Sequence, residues 1–260
     1  MSPSLDPTTS ARLALACLDL TTLNDTDTEA DVARLCARAN GPHGHVAAVC
    51  VWPRLAAFAR RELPPEIRVA AVANFPDGSG DVERALRDTA AIVAAGAQEV
   101  DLVLPYRSLQ AGDEATVKAV LTAVRKASEG LLLKVIIETG EFSDLNLMAR
   151  ACLMSLEAGA DFLKTSTGKT PVSATPQAAR VLLDAIATEP GAVNRVGFKA
   201  SGGIRTVADA ATYLALTADV LGEAALEPRR FRIGASSLLD DIERVLGGQA
   251  SRASAPPGSY

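Results

Sequence analysis

Histidine is almost absent from this chain. Only His43 and His45 occur, flanking Gly44, and no H-E-x-x-H or Cys/His cluster accompanies them. A metal site built from the usual donors is therefore not expected, and the two histidines read as turn residues. The four cysteines (Cys17, Cys36, Cys50 and Cys152) are scattered without a C-x-x-C pair. That spacing excludes a disulfide framework and reads each as a small buried hydrophobe in a reducing cytoplasm. Aromatics make up only 4% of the residues, so a core must come from Ala, Val, Leu and Ile. No apolar run reaches the roughly 18 residues a spanning helix needs. The first ten residues lack the basic and apolar regions of a signal peptide. A basic excess is missing too: the net charge is -5, which leaves no footprint for nucleic acid or an anionic membrane.

What is present is an alternation. Short β-branched runs at 17–22, 45–52, 68–75, 99–106, 131–138, 161–166, 195–200 and 230–235 alternate with segments of helical period. The helical segments fall near 29–39, 54–63, 80–95, 113–128, 144–158, 176–188, 207–221 and 237–246. Ser143 and Thr175 can cap helices, Pro176 suits a first turn, and Gly96, Gly130 and Gly159 stand where helices should stop. Runs such as Val69–Ala73 and Leu131–Ile137 are apolar on both faces, as parallel strands covered by helices require. Eight such units predict an α/β fold, a single (β/α)8 TIM barrel over residues 1–248 with an extra N-terminal helix at 9–16. An open doubly wound sheet is the structural alternative. Residues 249–260, rich in Ser, Ala, Pro and Gly, predict a flexible C-terminal tail.

Lysine is scarce, at 6 against 20 arginines, yet Lys134, Lys164 and Lys199 all fall inside predicted core strands. A buried lysine can be pushed toward its neutral amine and attack a carbonyl, whereas arginine stays protonated. A structural ion pair explains any one of them; three on separate strands are harder to explain that way. Carboxylates accompany them on predicted strands: Asp101 in the fourth, Glu138 at the end of the fifth and Asp19 in the first, although an Asp near a strand end such as Asp19 is often only a cap. Period two puts Lys134, Ile136 and Glu138 on one face, and Phe162, Lys164 and Ser166 on another. One lysine could act as nucleophile while another remains a cation that perturbs it.

Three glycine-bearing loops follow the last three strands: Thr165–Lys169, Ser201–Arg205 and Gly234–Ser237. Gly168, Gly202, Gly203 and Gly234 let backbone N–H groups approach an anion, and Ser236 and Ser237 add hydroxyls at a helix start. Lys169 or Arg205 supplies countercharge. The loops predict a phosphate cradle of the kind such barrels carry.

These stretches resemble deoxyribose-phosphate aldolase of the Schiff-base (class I) kind. The resemblance rests on Leu18–Asn24, Asn74-Phe-Pro76, Glu99–Asp101 with Pro105-Tyr106, Lys134–Gly140, Gly159–Lys169, Gly197–Lys199 with Ser201–Gly203, and Gly234–Ser237, in family order. It implies reversible cleavage of 2-deoxy-D-ribose 5-phosphate to D-glyceraldehyde 3-phosphate and acetaldehyde, without a metal or other cofactor. It also implies that Lys164 forms the Schiff base, Lys199 is the neighbouring cation that lowers its pKa, and Asp101 transfers a proton. Partners are then the small phosphosugar and acetaldehyde, with a homodimer as the expected assembly. Some relatives end in Tyr, so Tyr260 is a candidate proton relay from the tail.

Two alternatives remain at this level. Another Schiff-base aldolase of the same fold would differ in its donor pocket, which Leu23 and Phe75 are placed to restrict. A non-catalytic phosphosugar-binding protein would keep the cradle but has no need of Lys164 and Lys199 together. A dinucleotide-binding barrel lacks support, because no G-x-G-x-x-G follows the first strand.

Overall fold

The computed structural model describes residues 5–252. Eight parallel strands close into a barrel: β1 Leu18–Thr21, β2 Ala48–Val51, β3 Arg68–Ala73, β4 Glu99–Val103, β5 Leu132–Ile136, β6 Phe162–Lys164, β7 Gly197–Ser201 and β8 Phe231–Ala235. Closure comes from β1, which pairs with β2 on one side and β8 on the other. The helices are α1 Pro7–Ala16, α2 Glu29–Arg38, α3 Pro53–Glu62, α4 Val82–Ala94, α5 Tyr106–Gln110, α6 Glu114–Ala127, α7 Leu145–Glu157, α8 Pro176–Thr188, α9 Val207–Leu221 and α10 Leu238–Leu246. The expected (β/α)8 TIM barrel is thus the fold. The extra helix α1 packs against α9 and α10.

Local chemistry explains the boundaries. Thr175 caps α8 by accepting from Ala178 N, and Pro176 occupies its first turn. At α7 the cap is Asp144, one residue beyond Ser143, because the Asp144 carboxylate accepts from Asn146 N. Gly96, Gly130 and Gly159 stop three helices with φ of 70°, 82° and 87°.

Several strands are shorter than their apolar runs. Pro105 cannot donate to the ladder, and the chain turns there into the short helix α5. Glu138 has φ 59°, which takes its side chain out of the strand alternation after Ile136, so it does not join Lys134 on one inward face. The segment before β2 forms a two-residue hairpin, Asn40–Gly41 with Gly44–His45, and leaves both histidines exposed. All four cysteines are buried and unpaired.

Of the expected tail, residues 253–260, Tyr260 included, lie outside the described residues. Ser251 and Arg252 are tied to α10, where the Asp241 carboxylate accepts from Ser251 Oγ at 2.6 Å and Arg252 N at 2.8 Å. Among the described residues, no helix is long and apolar enough to cross a membrane.

Candidate active site

The barrel register sets Lys164 of β6 beside Lys199 of β7, and Lys199 beside Arg232 of β8. Three cations on neighbouring strands would repel one another without compensation. Compensation comes from β1 and β4. Asp101 Oδ2 accepts from Lys164 Nζ and Lys199 Nζ, each at 2.8 Å, and Asp101 Oδ1 accepts from Lys134 Nζ at 2.8 Å. Asp19 bridges Lys199 and Arg232 at 2.5 Å each, while Glu99 meets Lys134 at 2.5 Å and Arg232 at 2.9 Å. Asp19, Glu99, Asp101, Lys134 and Lys199 have no exposure to solvent. Asp19 is therefore part of the internal network and not a helix cap.

The three lysines differ in how many carboxylates they meet. Lys134 has Asp19, Glu99 and Asp101; Lys199 has Asp19 and Asp101; Lys164 has Asp101 alone. Burial pulls every buried ammonium toward its neutral form. At Lys134 and Lys199 burial is outweighed by the carboxylates, Asp101 foremost, and both pKa values lie above the ordinary lysine range. At Lys164 burial prevails, with the Lys199 charge acting in the same direction against Asp101, and the pKa falls. Burial also works against the charged form of Asp101, but Lys134, Lys164 and Lys199 hold it an anion well below the usual carboxylate range. Among these groups a neutral Lys164 leaves three cations facing three carboxylates.

Above this network a cavity of about 330 Å³ opens at the C-terminal ends of β1, β6, β7 and β8. Lys164 lines it, as do Gly168, Lys169, Gly202, Gly203, Gly234, Ser236 and Ser237, so every residue expected in the cradle meets the candidate nucleophile in one space. Arg205 and Leu23 line it as well. Phe75 does not; it packs edge-on against Trp52, 5.4 Å between ring centres. Lys199 and Asp101 lie outside the cavity lining and reach it through Lys164. Gly202 is required where the loop turns: its φ is 87°, and a Cβ there would stand 2.5 Å from the Ser173 side chain. Lys164, which is 3% exposed, offers its amine to whatever enters.

Arg232 and Glu99 join the network although neither is among the candidate site residues read from the sequence. The signal was there, since Glu99 stands two residues before Asp101 and Arg232 two before Gly234, on the same strand faces. Among the described residues no group of three or more His, Cys, Asp or Glu side chains is arranged to hold a metal.

A closed parallel barrel with a lysine at the floor of its C-terminal cavity is an architecture suited to carbonyl chemistry on a small anionic substrate. The chain belongs to the DeoC/LacD family of aldolases, whose model matches residues 13–244. Among solved structures it is similar to a protein from Toxoplasma gondii ME49, provisionally named a deoxyribose-phosphate aldolase. That match has 26% identity and a TM-score of 0.84, covering 94% of this chain and 98% of that one. A protein from Coccidioides immitis, provisionally named in the same way, matches at 27% identity and TM-score 0.80 over 94% of this chain and 88% of that chain. The deoxyribose phosphate aldolase of Aeropyrum pernix, a tetramer, matches at 25% identity and TM-score 0.70 over 93% of each chain.

Proposed function

We propose that this aldolase-family chain is a class I deoxyribose-phosphate aldolase that cleaves 2-deoxy-D-ribose 5-phosphate to D-glyceraldehyde 3-phosphate and acetaldehyde through a Schiff base on Lys164. The observation that carries the reading is the contrast among the lysines. Of Lys134, Lys164 and Lys199, only Lys164 lines the cavity and it alone has a lowered pKa.

In this mechanism the neutral amine of Lys164 adds to the C1 aldehyde of the open-chain sugar, and the carbinolamine loses water to give a protonated imine. Loss of the C3 hydroxyl proton forms the new carbonyl as the C2–C3 bond breaks, and the imine takes up the electron pair as an enamine. Acetaldehyde keeps C1 and C2, so glyceraldehyde 3-phosphate leaves first. Protonation of the enamine carbon and addition of water release acetaldehyde and regenerate the amine. Lys199 supplies the cation that favours neutral Lys164, and Asp101, 2.8 Å from Lys164 Nζ, is the proton-transfer partner that reaches the cavity through that amine. Gly168, Lys169, Gly202, Gly203, Gly234, Ser236 and Ser237 receive the phosphate, with Leu23 limiting the donor side.

The reading includes a cytoplasmic enzyme working without a metal and a homodimeric assembly. Its test is borohydride reduction in the presence of acetaldehyde or the phosphosugar, followed by peptide mass spectrometry. An adduct on the peptide containing Lys164 is expected; an adduct on Lys134 or Lys199, or none, rejects the assignment.

A further inference from the structure

Glu138 makes no ion pair with the charged network and does not line the cavity, yet it is wholly buried in a left-handed conformation, φ 59° and ψ 58°. A side chain with a Cβ adopts that backbone at a cost, so the surrounding contacts must impose it. They come from one loop. Its carboxylate accepts from Thr167 N at 3.2 Å and Thr167 Oγ1 at 2.5 Å, and it shares the Thr170 hydroxyl, 3.3 Å away, with Val172 O at 3.0 Å. Burial pushes the pKa of Glu138 up, and the Thr167 and Thr170 hydrogen bonds, with the Lys164 charge, pull it back.

Thr167 and Thr170 bracket Gly168 and Lys169, which line the cavity beside Lys164. The Thr167 hydroxyl passes the constraint on. Because its proton is directed to Glu138, its lone pairs face the Lys169 N–H, which donates to it at 3.0 Å. The next residue of the turn adds a second brace, with Thr139 N donating to Thr165 O at 2.9 Å.

We propose that Glu138 is a positioning residue for anion recognition: its buried carboxylate fastens Thr167 and Thr170 so that the loop between them holds Gly168 and Lys169 over the cavity, where they meet the phosphate of the substrate. The inference rests on the aldolase reading for its substrate. It makes Glu138 a determinant of preference for phosphorylated over unphosphorylated sugar, without contact between Glu138 and either. Glutamine at this position keeps one acceptor oxygen but brings an amide that must donate. The Thr167 hydroxyl would then have to reverse and compete with the Lys169 N–H. Removing the side chain frees the whole loop.

The test uses the full chain with Glu138→Gln, Glu138→Ala and Thr170→Val. Steady-state constants are measured for 2-deoxyribose 5-phosphate and 2-deoxyribose, and inorganic phosphate binding is measured by calorimetry. Losing charge-assisted hydrogen bonds that fix a binding loop should raise KM for the phosphorylated sugar about tenfold in Glu138→Ala, with a smaller change in kcat. Phosphate affinity should fall in parallel, with Glu138→Gln intermediate. Thr170→Val should act in the same direction more weakly and add little to Glu138→Ala, because Glu138→Ala already removes the contact between the two residues. Equal losses on both sugars, or unchanged phosphate affinity, would overturn the proposal. If Glu138→Ala does not fold, the other two variants carry the comparison. Acetaldehyde trapping on the wild type separates the two ideas: no Lys164 adduct rejects the aldolase reading, while the phosphate titration still decides the role of Glu138.

Discussion

Lys164 and Lys199 lie in direct register on neighbouring strands and share a single acceptor, Asp101 Oδ2, at 2.8 Å from each nitrogen. One carboxylate oxygen thus holds two amines close together. Its charge does not favour two cations there equally, because Lys199 has Asp19 as a second partner and Lys164 has none. The arrangement assigns the proton to Lys199 and leaves Lys164 as the amine that gives it up.

The charge of Lys199 should be visible in a pH–rate profile. Like charges on the order of 5 Å apart repel by about 3 kcal/mol at an effective dielectric near 20, equivalent to about two pH units on a neighbouring lysine. In the proposed mechanism Lys164 reacts as the neutral amine, so kcat/KM should rise as pH climbs through its lowered pKa. Lys199→Leu removes the repelling cation and leaves Asp101 and Asp19 less compensated; both changes raise the pKa of Lys164. The limb should move to higher pH, with most activity lost near pH 7 and partly recovered in alkali. Lys199→Arg should move it less. Impairment by one constant factor at every pH would show that Lys199 acts by proton transfer or substrate contact.

Lys164→Arg keeps a cation over Asp101 but has no amine able to form an imine. Activity should fall by at least about a thousandfold, borohydride trapping should disappear, and the circular dichroism spectrum should stay that of the wild type. Prolonged treatment with EDTA should leave the wild-type rate unchanged. A loss restored by zinc would contradict the Schiff-base reading.

Ser237→Glu places a carboxylate at the start of α10, on the cavity wall. Repulsion of the phosphate should raise KM for 2-deoxyribose 5-phosphate at least about tenfold. Turnover of unphosphorylated 2-deoxyribose should suffer much less. Equal losses on the two substrates would place the damage in the fold or the chemistry.

Arg232 stabilises the floor of the network, with its guanidinium between Asp19 and Glu99 and its Nε donating to Pro228 O at 2.5 Å. Arg232→Met leaves two buried carboxylates with fewer partners and should lower unfolding free energy by roughly 3–5 kcal/mol in a denaturant titration. Glu99→Gln combined with Arg232→Met should recover part of that loss. Additive destabilisation would mean that Arg232 and Glu99 do not act as one pair.

Much of this protein is local in its chemistry and was legible from the residues alone. Runs such as Val69–Ala73 read as strands covered on both faces, Thr175-Pro176 as a helix start, and the glycines after β6, β7 and β8 as tight loops. Even the three unusual lysines stood out, because a charge in an apolar strand needs a reason. What residue order does not contain is distance between strands far apart in the chain. Glu99 and Arg232 meet only because the barrel closes, which is why their role was missed, and Glu138 left the inward face through one positive φ that no periodicity records. The choice among Lys134, Lys164 and Lys199 is likewise tertiary. Three similar amines on three similar strands are told apart by how many carboxylates the closed barrel brings to each, and by which of them is left facing the cavity.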